Sequence, residues 1–319
     1  INTPEFFNYR ASVKGYLQLP AALRDTRKES ANFMVTTNTE IQRSSTGMST
    51  STGNNTTTGT FEFQVFENTW IMENIPSIIE EPYITTMDNY TSQINHELVS
   101  IQYPNSTPKY FSNSWQSCIK ELLEEEKLGM QITRPSEYLN DILAEMNNEP
   151  YPLNKIKIAY NSIRNKMKWN GAKSIFSSYT IRDAYKNGLG NIADINLNLY
   201  KLLINANIKA DIIFLSTREN GFLPEFPNIS GFNYLIVSAE SNGQKYFLDA
   251  SDRNLNVGEL PLRCLNGSGL YLHENKADWV EITTNQSHNN TTFIDAKLDA
   301  NGKISGKLNY NKKNSAAYM

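Results

Sequence analysis

The sequence has only two cysteines and three histidines in 319 residues, which removes several kinds of chemistry at once. Cys118 and Cys264 are too few for a disulfide scaffold. His96, His273 and His288 stand far apart without ligand spacing, so no metal site and no cofactor are expected. No apolar run is long enough to span a bilayer, so no membrane span is expected. Nor is there an excess of positive charge. Thirty Lys and Arg face 33 Asp and Glu, evenly mixed, for a net charge of -3. Without a basic stripe there is no counterion-release footprint, and nucleic acid is excluded as a partner. The opening INTPEFFNYR is neither an initiator methionine nor a signal peptide, so the chain is expected to be a processed or trimmed piece.

Apolar material is present in quantity. Hydrophobic residues make up 39%, with 17 Tyr and 14 Phe, enough to build cores. The length suggests about two domains, and a mean hydropathy of -0.50 with abundant Asn, Ser and Thr describes a polar surface. Residues 1–105 read as β. FEFQVFENTW (61–70) begins with alternating large apolar side chains, and INHELVSIQY (94–103) is a second strand candidate. SSTGMSTSTGNNTTTGT (44–60) is nearly free of apolar anchors and reads as a mobile loop. A glycosylated stalk is the lesser reading, since an Asn- and Thr-rich composition produces N-x-S/T sequons by chance.

Helices are expected after residue 110. SNSWQSCIKELLEEEKLG (112–129) aligns Trp115, Cys118, Ile119, Leu122 and Leu123, with Gly129 as the expected end. Its run Glu124–Glu126 reads as a solvated face rather than an acid–base pair. PSEYLNDILAEMNN (135–148) starts on proline. LNKIKIAYNSIRNKMKW (153–169) places Ile156, Tyr160, Ile163 and Met167 on one face. TIRDAYKNGLG (180–190) and NIADINLNLYKLLINANI (191–208) follow, the latter with Ile192, Ile195, Leu199, Leu202 and Leu203 inward. ADIIFLS (210–216), NYLIVSA (233–239) and KYFLDA (245–250) read as strands, the last two joined by an Asn-Gly turn. IDAKLDANGKISGKLNY (294–310) is another hairpin around Asn301-Gly302.

The stretch GLGNIADINLNLYKLL (188–203) is a glycine-punctuated turn entering a helix, a setting that often mounts a nucleophile. A thiol at a helix N-terminus is shifted toward thiolate. A base on a facing strand and an orienting acid on the next would complete the machinery. On this sequence those places hold Ile192, Tyr234 and Asp249. Isoleucine has no nucleophile, and a phenol with a pKa near ~10 is a poor base at neutral pH. Asp194 favours the positive end of the helix. Trp169, Asn191 and Asp194 are candidate cleft-lining residues. Cys264 reads as a structural thiol or, as the alternative, a relocated nucleophile.

Residues 153–265 resemble a bacterial transglutaminase-like core, which shares the papain-like cysteine protease architecture. The matching stretches are KWNG (168–171), GNIADINLNLYKLL (190–203), KADIIFLSTRENG (209–221), FNYLIVS (232–238), KYFLDASD (245–252) and LPLRCLNGSG (260–269). NIPSIIEEPYITTMDNY (74–90) resembles the end of the β-rich domain that precedes such cores, and the tail resembles the start of the β domain that follows them. The resemblance implies an α+β chain: an N-terminal antiparallel β domain, a partial sandwich incomplete at its start (1–108), then helices packed on an antiparallel sheet (109–290), then a truncated β domain (291–319). The family's catalytic order is Cys, His, Asp, and here only the aspartate remains. The resemblance therefore implies the fold and argues against the activity. The expectation is an inactive protein acting in binding or structural assembly outside the cytoplasm, periplasmic or at the cell surface, with a peptide or glycan in the former groove. The alternatives are an active cysteine hydrolase or acyl transferase with a rearranged site, and an architectural spacer.

Overall fold

A computed structural model describes residues 2–4, 7–14, 32–44, 61–73, 77–81, 84–91, 93–103, 106–111, 114–224, 226–273, 276–283 and 288–314. The chain is α+β, and it divides into two compact units, Ile1–Asn113 and Ser114–Met319. The first unit is built from strands. β1 (Asn2–Pro4) pairs with β4 (Phe61–Glu73), which pairs in turn with β3 (Asn32–Ser44). β2 (Phe7–Lys14), β5 (Gln93–Ile101) and β6 (Lys109–Tyr110) form a second antiparallel sheet. The candidate strands 61–70 and 94–103 lie within β4 and β5 almost to the residue. The loop expected at 44–60 lies, after Ser44, outside the described residues.

The second unit opens with α1 (Trp115–Glu124), started by a reciprocal Ser114–Ser117 capping box. The helix does not run to Gly129 as its sequence suggested. It stops at Glu125, whose backbone is extended, and Gly129 instead begins the short α2 (Gly129–Thr133). A Cβ on Gly129 would lie 1.9 Å from the Leu123 carbonyl oxygen, so the glycine serves a close approach of backbones rather than a helix end. α3 (Asn140–Asn148) likewise begins later than Pro135, after a 3₁₀ turn at Glu137–Leu139. α4 (Pro152–Lys166) ends before Met167, because Lys168 and Trp169 leave the helix as β7 (Lys168–Trp169). β7 pairs in parallel with β8 (Leu189–Gly190), just beyond α5 (Ile181–Asn187).

α6 (Ile192–Asn205) is the centre of the unit. The predicted inward stripe is fully buried, but so are Asp194, Asn196, Asn198 and Lys201, and eleven of its 14 residues are buried. A helix enclosed on every side has no polar face to give to water. Its polar side chains are therefore tied to neighbouring backbone: Asn198 Nδ2 donates to Ile181 O and Asp194 O at 2.8 Å each, and its Oδ1 accepts from Tyr138 Oη at 2.7 Å.

α6 packs on an antiparallel sheet in the order β11-β10-β9-β12-β13. Its strands are β9 (Ala210–Leu215), β10 (Tyr234–Ser241), β11 (Gln244–Leu248), β12 (Gly267–Tyr271) and β13 (Trp279–Ile282). The β10–β11 turn has φ of 52° at Asn242 and 78° at Gly243, as a tight type I′ hairpin requires. Gly269 lets β12 lie against β9; a Cβ there would meet Ile213 Cγ2 at 2.4 Å. Two apolar clusters flank α6. One joins Ile192, Ala193 and Leu197 to Phe214, Tyr234 and Cys264; the other joins Ile195, Leu199 and Leu202 to Ile156, Tyr160 and Val237. The described residues end in a hairpin, β14 (His288–Leu298) and β15 (Ile304–Asn314), turning at Asn301-Gly302 as the sequence indicated.

Candidate functional site

The N-terminus of α6 is capped by its own sequence. Asn191 Oδ1 accepts the Asp194 N–H at 2.9 Å, and Asp194 Oδ2 accepts the Asn191 N–H at 2.9 Å. Asp194 Oδ1 also accepts Ser178 N–H at 3.2 Å, and Asn191 Nδ2 donates to Phe176 O at 2.8 Å. Both side chains are thus engaged in holding the turn. Burial raises the Asp194 pKa, opposed by the hydrogen bonds from Asn191 and Ser178.

Ile192, the first residue of α6, is fully enclosed. One turn further on the same face stands Asn196. Its Nδ2 donates to Leu235 O and to Asp249 Oδ1, both at 3.0 Å, and its Oδ1 accepts Ala250 N–H at 3.0 Å. Through that amide the helix reaches the strands. Asp249 Oδ2 accepts the Tyr234 hydroxyl at 2.7 Å, and its Oδ1 accepts Ser251 N–H at 3.0 Å. Tyr234 and Asp249 are both without solvent exposure. Burial, then the neighbouring Asp249 charge, pushes the Tyr234 phenol well above its ordinary range.

Arg263 completes the group, and nothing in the sequence reading singled it out. Its Nε donates to Tyr234 Oη at 2.9 Å, and its Nη2 donates to Ser251 Oγ at 3.3 Å. The guanidinium lies 3.6 Å from a carboxylate oxygen of Asp249 and 3.6 Å from one of Asp252. It also sits 4.8 Å above the ring of Trp169 and 5.5 Å from that of Tyr234. Trp169 is half-buried and donates its indole N–H to Ala172 O at 2.8 Å. The available signal was a cation directly before a cysteine in LPLRCLNG, since a charge beside a buried thiol needs a partner.

Cys264 is 1% exposed, and burial, then Asp249, pushes its thiol well above the usual range. Such a thiol is inert. His273, the imidazole that a relocated nucleophile would need, has both ring nitrogens at carboxylates instead: Nδ1 at Asp278 and Nε2 at Asp211, each 3.2 Å away. On the neighbouring loops Lys173 forms an ion pair with Glu219.

The phenol donates to Asp249, accepts from Arg263 and lies 3.1 Å from the Ser251 hydroxyl, the carboxylate accepts from three, and the guanidinium is stacked and paired. No group in this cluster is placed as a nucleophile, and none is an unoccupied base. Cavities of about 380, 390 and 440 Å³ are lined by described residues, and Ile192, Tyr234 and Asp249 line none of the three. Asp194 lines one, together with Asn170, Ser178 and Tyr179.

No family model and no curated protein matches the sequence. Among solved structures, the chain is similar to a putative protease from Parabacteroides distasonis, at 13% identity and a TM-score of 0.48 over 88% of this chain. The chain spans 44% of that protein's length. It is also similar to a putative cysteine protease from Cytophaga hutchinsonii, at 12% identity and a TM-score of 0.30, covering 98% of this chain and 88% of that one. Among the described residues, no helix is long and apolar enough to cross a membrane.

Proposed function

We propose that this chain is a catalytically inactive transglutaminase-like protein that serves in binding or structural assembly outside the cytoplasm. On this reading Ile192, Tyr234 and Asp249 occupy the positions of nucleophile, base and orienting acid. The proposal includes the layout of a β-rich region over 1–108, a core over 109–290 and a β region over 291–319.

The observation that carries the reading is the closed circuit of Tyr234, Asp249 and Arg263 beside Ile192. A triad acts as a unit, and the remaining carboxylate cannot replace the two lost groups. Here that carboxylate holds a phenol and an amide in place, which is a structural task. Of the two non-catalytic roles, assembly is favoured over a peptide or glycan held in the old groove. Ile192 is wholly covered, and Arg263 is stacked over Trp169, the aromatic side chain expected to line that groove.

Incubation of the full chain with peptide, glutamine-donor and ester substrates tests this directly. The expected result is no turnover above the uncatalysed rate with any of them. Turnover that disappears on Cys264→Ser would overturn the proposal in favour of a rearranged cysteine enzyme.

A further inference from the structure

Away from this cluster, α6 buries a second charge under different terms. Lys201 is 3% exposed. Its ammonium donates to Ile132 O at 2.7 Å and to Arg134 O, the carbonyls at the end of α2. An ammonium has three N–H donors, and the third has no partner among the described residues. No carboxylate stands within ion-pair distance of Nζ among them either. Burial lowers the Lys201 pKa while Glu137 opposes the shift, so the charge is only partly compensated.

Lys201 lines a cavity of about 440 Å³ that Gln131, Arg134, Glu137, Arg182 and Asp183 also line. Gln131 is buried. It accepts Ile181 N–H at 3.3 Å and donates one amide hydrogen to Glu126 O at 2.8 Å, which leaves the second. Arg134 pairs with Glu126 at 3.2 Å, while the exposed Arg182 makes no ion pair among the described residues. Asp183 is engaged by the Thr180 hydroxyl at 2.7 Å. The lining thus holds three cations, Lys201, Arg134 and Arg182, against two carboxylates, Glu137 and Asp183. Arg134 is already balanced by Glu126, so what marks the cavity is Lys201 and Arg182, neither in an ion pair among the described residues, with spare N–H donors on a buried lysine and a buried carboxamide.

We propose that this cavity is a binding site for a small oxyanion, a carboxylate or phosphate group. The site is separate from the Tyr234–Asp249–Arg263 cluster, and its test does not depend on the proposed function. Anions of both kinds accept strong charge-assisted hydrogen bonds from lysine and arginine.

The experiment is a titration of the full chain with sodium phosphate and, separately, with sodium acetate. Ionic strength is held constant with chloride, and the melting temperature and binding heat are read together. A saturable rise is expected with at least one anion, and the stronger of the two identifies the group recognised. Arg182→Ser, a surface change, should weaken that binding about tenfold, and Lys201→Met should abolish it. If Lys201→Met does not fold, the Arg182→Ser comparison decides. An equal response in native protein and Arg182→Ser, or no saturable response to either anion, overturns the assignment.

Discussion

The hairpins β10–β11 and β14–β15 both turn at an Asn-Gly pair, the first as a two-residue turn and the second as a longer loop in which only Gly302 has positive φ, and they meet opposite surroundings. Every residue of β10 except Glu240 is buried, because helices cover one face and further structure covers the other. In β14–β15 the pairs Ile294–Leu308 and Leu298–Ile304 share one face, and all four side chains are more than 60% exposed. The opposite face carries polar pairs such as Asp295–Lys307. Turn chemistry and alternation set the local backbone in both. What differs is whether another part of the described chain arrives to cover it, and that decides which side chains matter to stability.

The largest effect should come from the covered hairpin's polar anchor. Asp249→Ala would leave Arg263, Tyr234 and Asn196 without a shared acceptor, and denaturant unfolding should show a loss of about 3–5 kcal/mol. A loss below about 1 kcal/mol would mean the network is wetter than its burial implies. Ile192→Ala, beside it, should cost roughly 2–5 kcal/mol through the cavity it leaves, with the same measurement as the check.

Tyr234→Phe should cost less, about 1–3 kcal/mol, since it removes one donor from a buried carboxylate. It also carries a pH signature. The folded phenol has its pKa raised by burial and by Asp249. Below pH ~10 both states keep the proton and the contribution is complete. Above that, the unfolded chain ionises first and binds fewer protons, so stability falls as pH rises. Removing the phenol should flatten this alkaline decline by one proton's worth in urea titrations at successive pH values. An unchanged slope would show that Tyr234 does not titrate as placed. At the small end, Leu308→Thr on the uncovered hairpin should change stability by no more than ~0.5 kcal/mol. A loss of several kcal/mol would erase the contrast between the two hairpins.

The sequence made some of this plain. The stripe of α6, the strands β9 to β11 and both Asn-Gly turns could be read from periodicity and turn residues. Gly129 misled because a glycine fitted to a close approach looks, in one dimension, like a helix end. Burial of Asn196 and Lys201 was hidden for a related reason. Polar residues on a helix normally face water, and only the packing of α4, α5 and the sheet around α6 shows that here they do not. The charge of Arg263 beside Cys264 was the one signal it gave; its partners Trp169, Tyr234, Asp249 and Asp252 could not be read because they lie in three separate stretches that folding alone assembles.

Neither cysteine of the chain is in a disulfide, and both are enclosed in the folded protein. A water-soluble thiol reagent should therefore find nothing to modify until the chain unfolds. This gives the protein a silent background for attaching probes. A single cysteine placed on an exposed side chain, such as Tyr179 or Ile304, would take a fluorophore at one known position without first deleting either native residue.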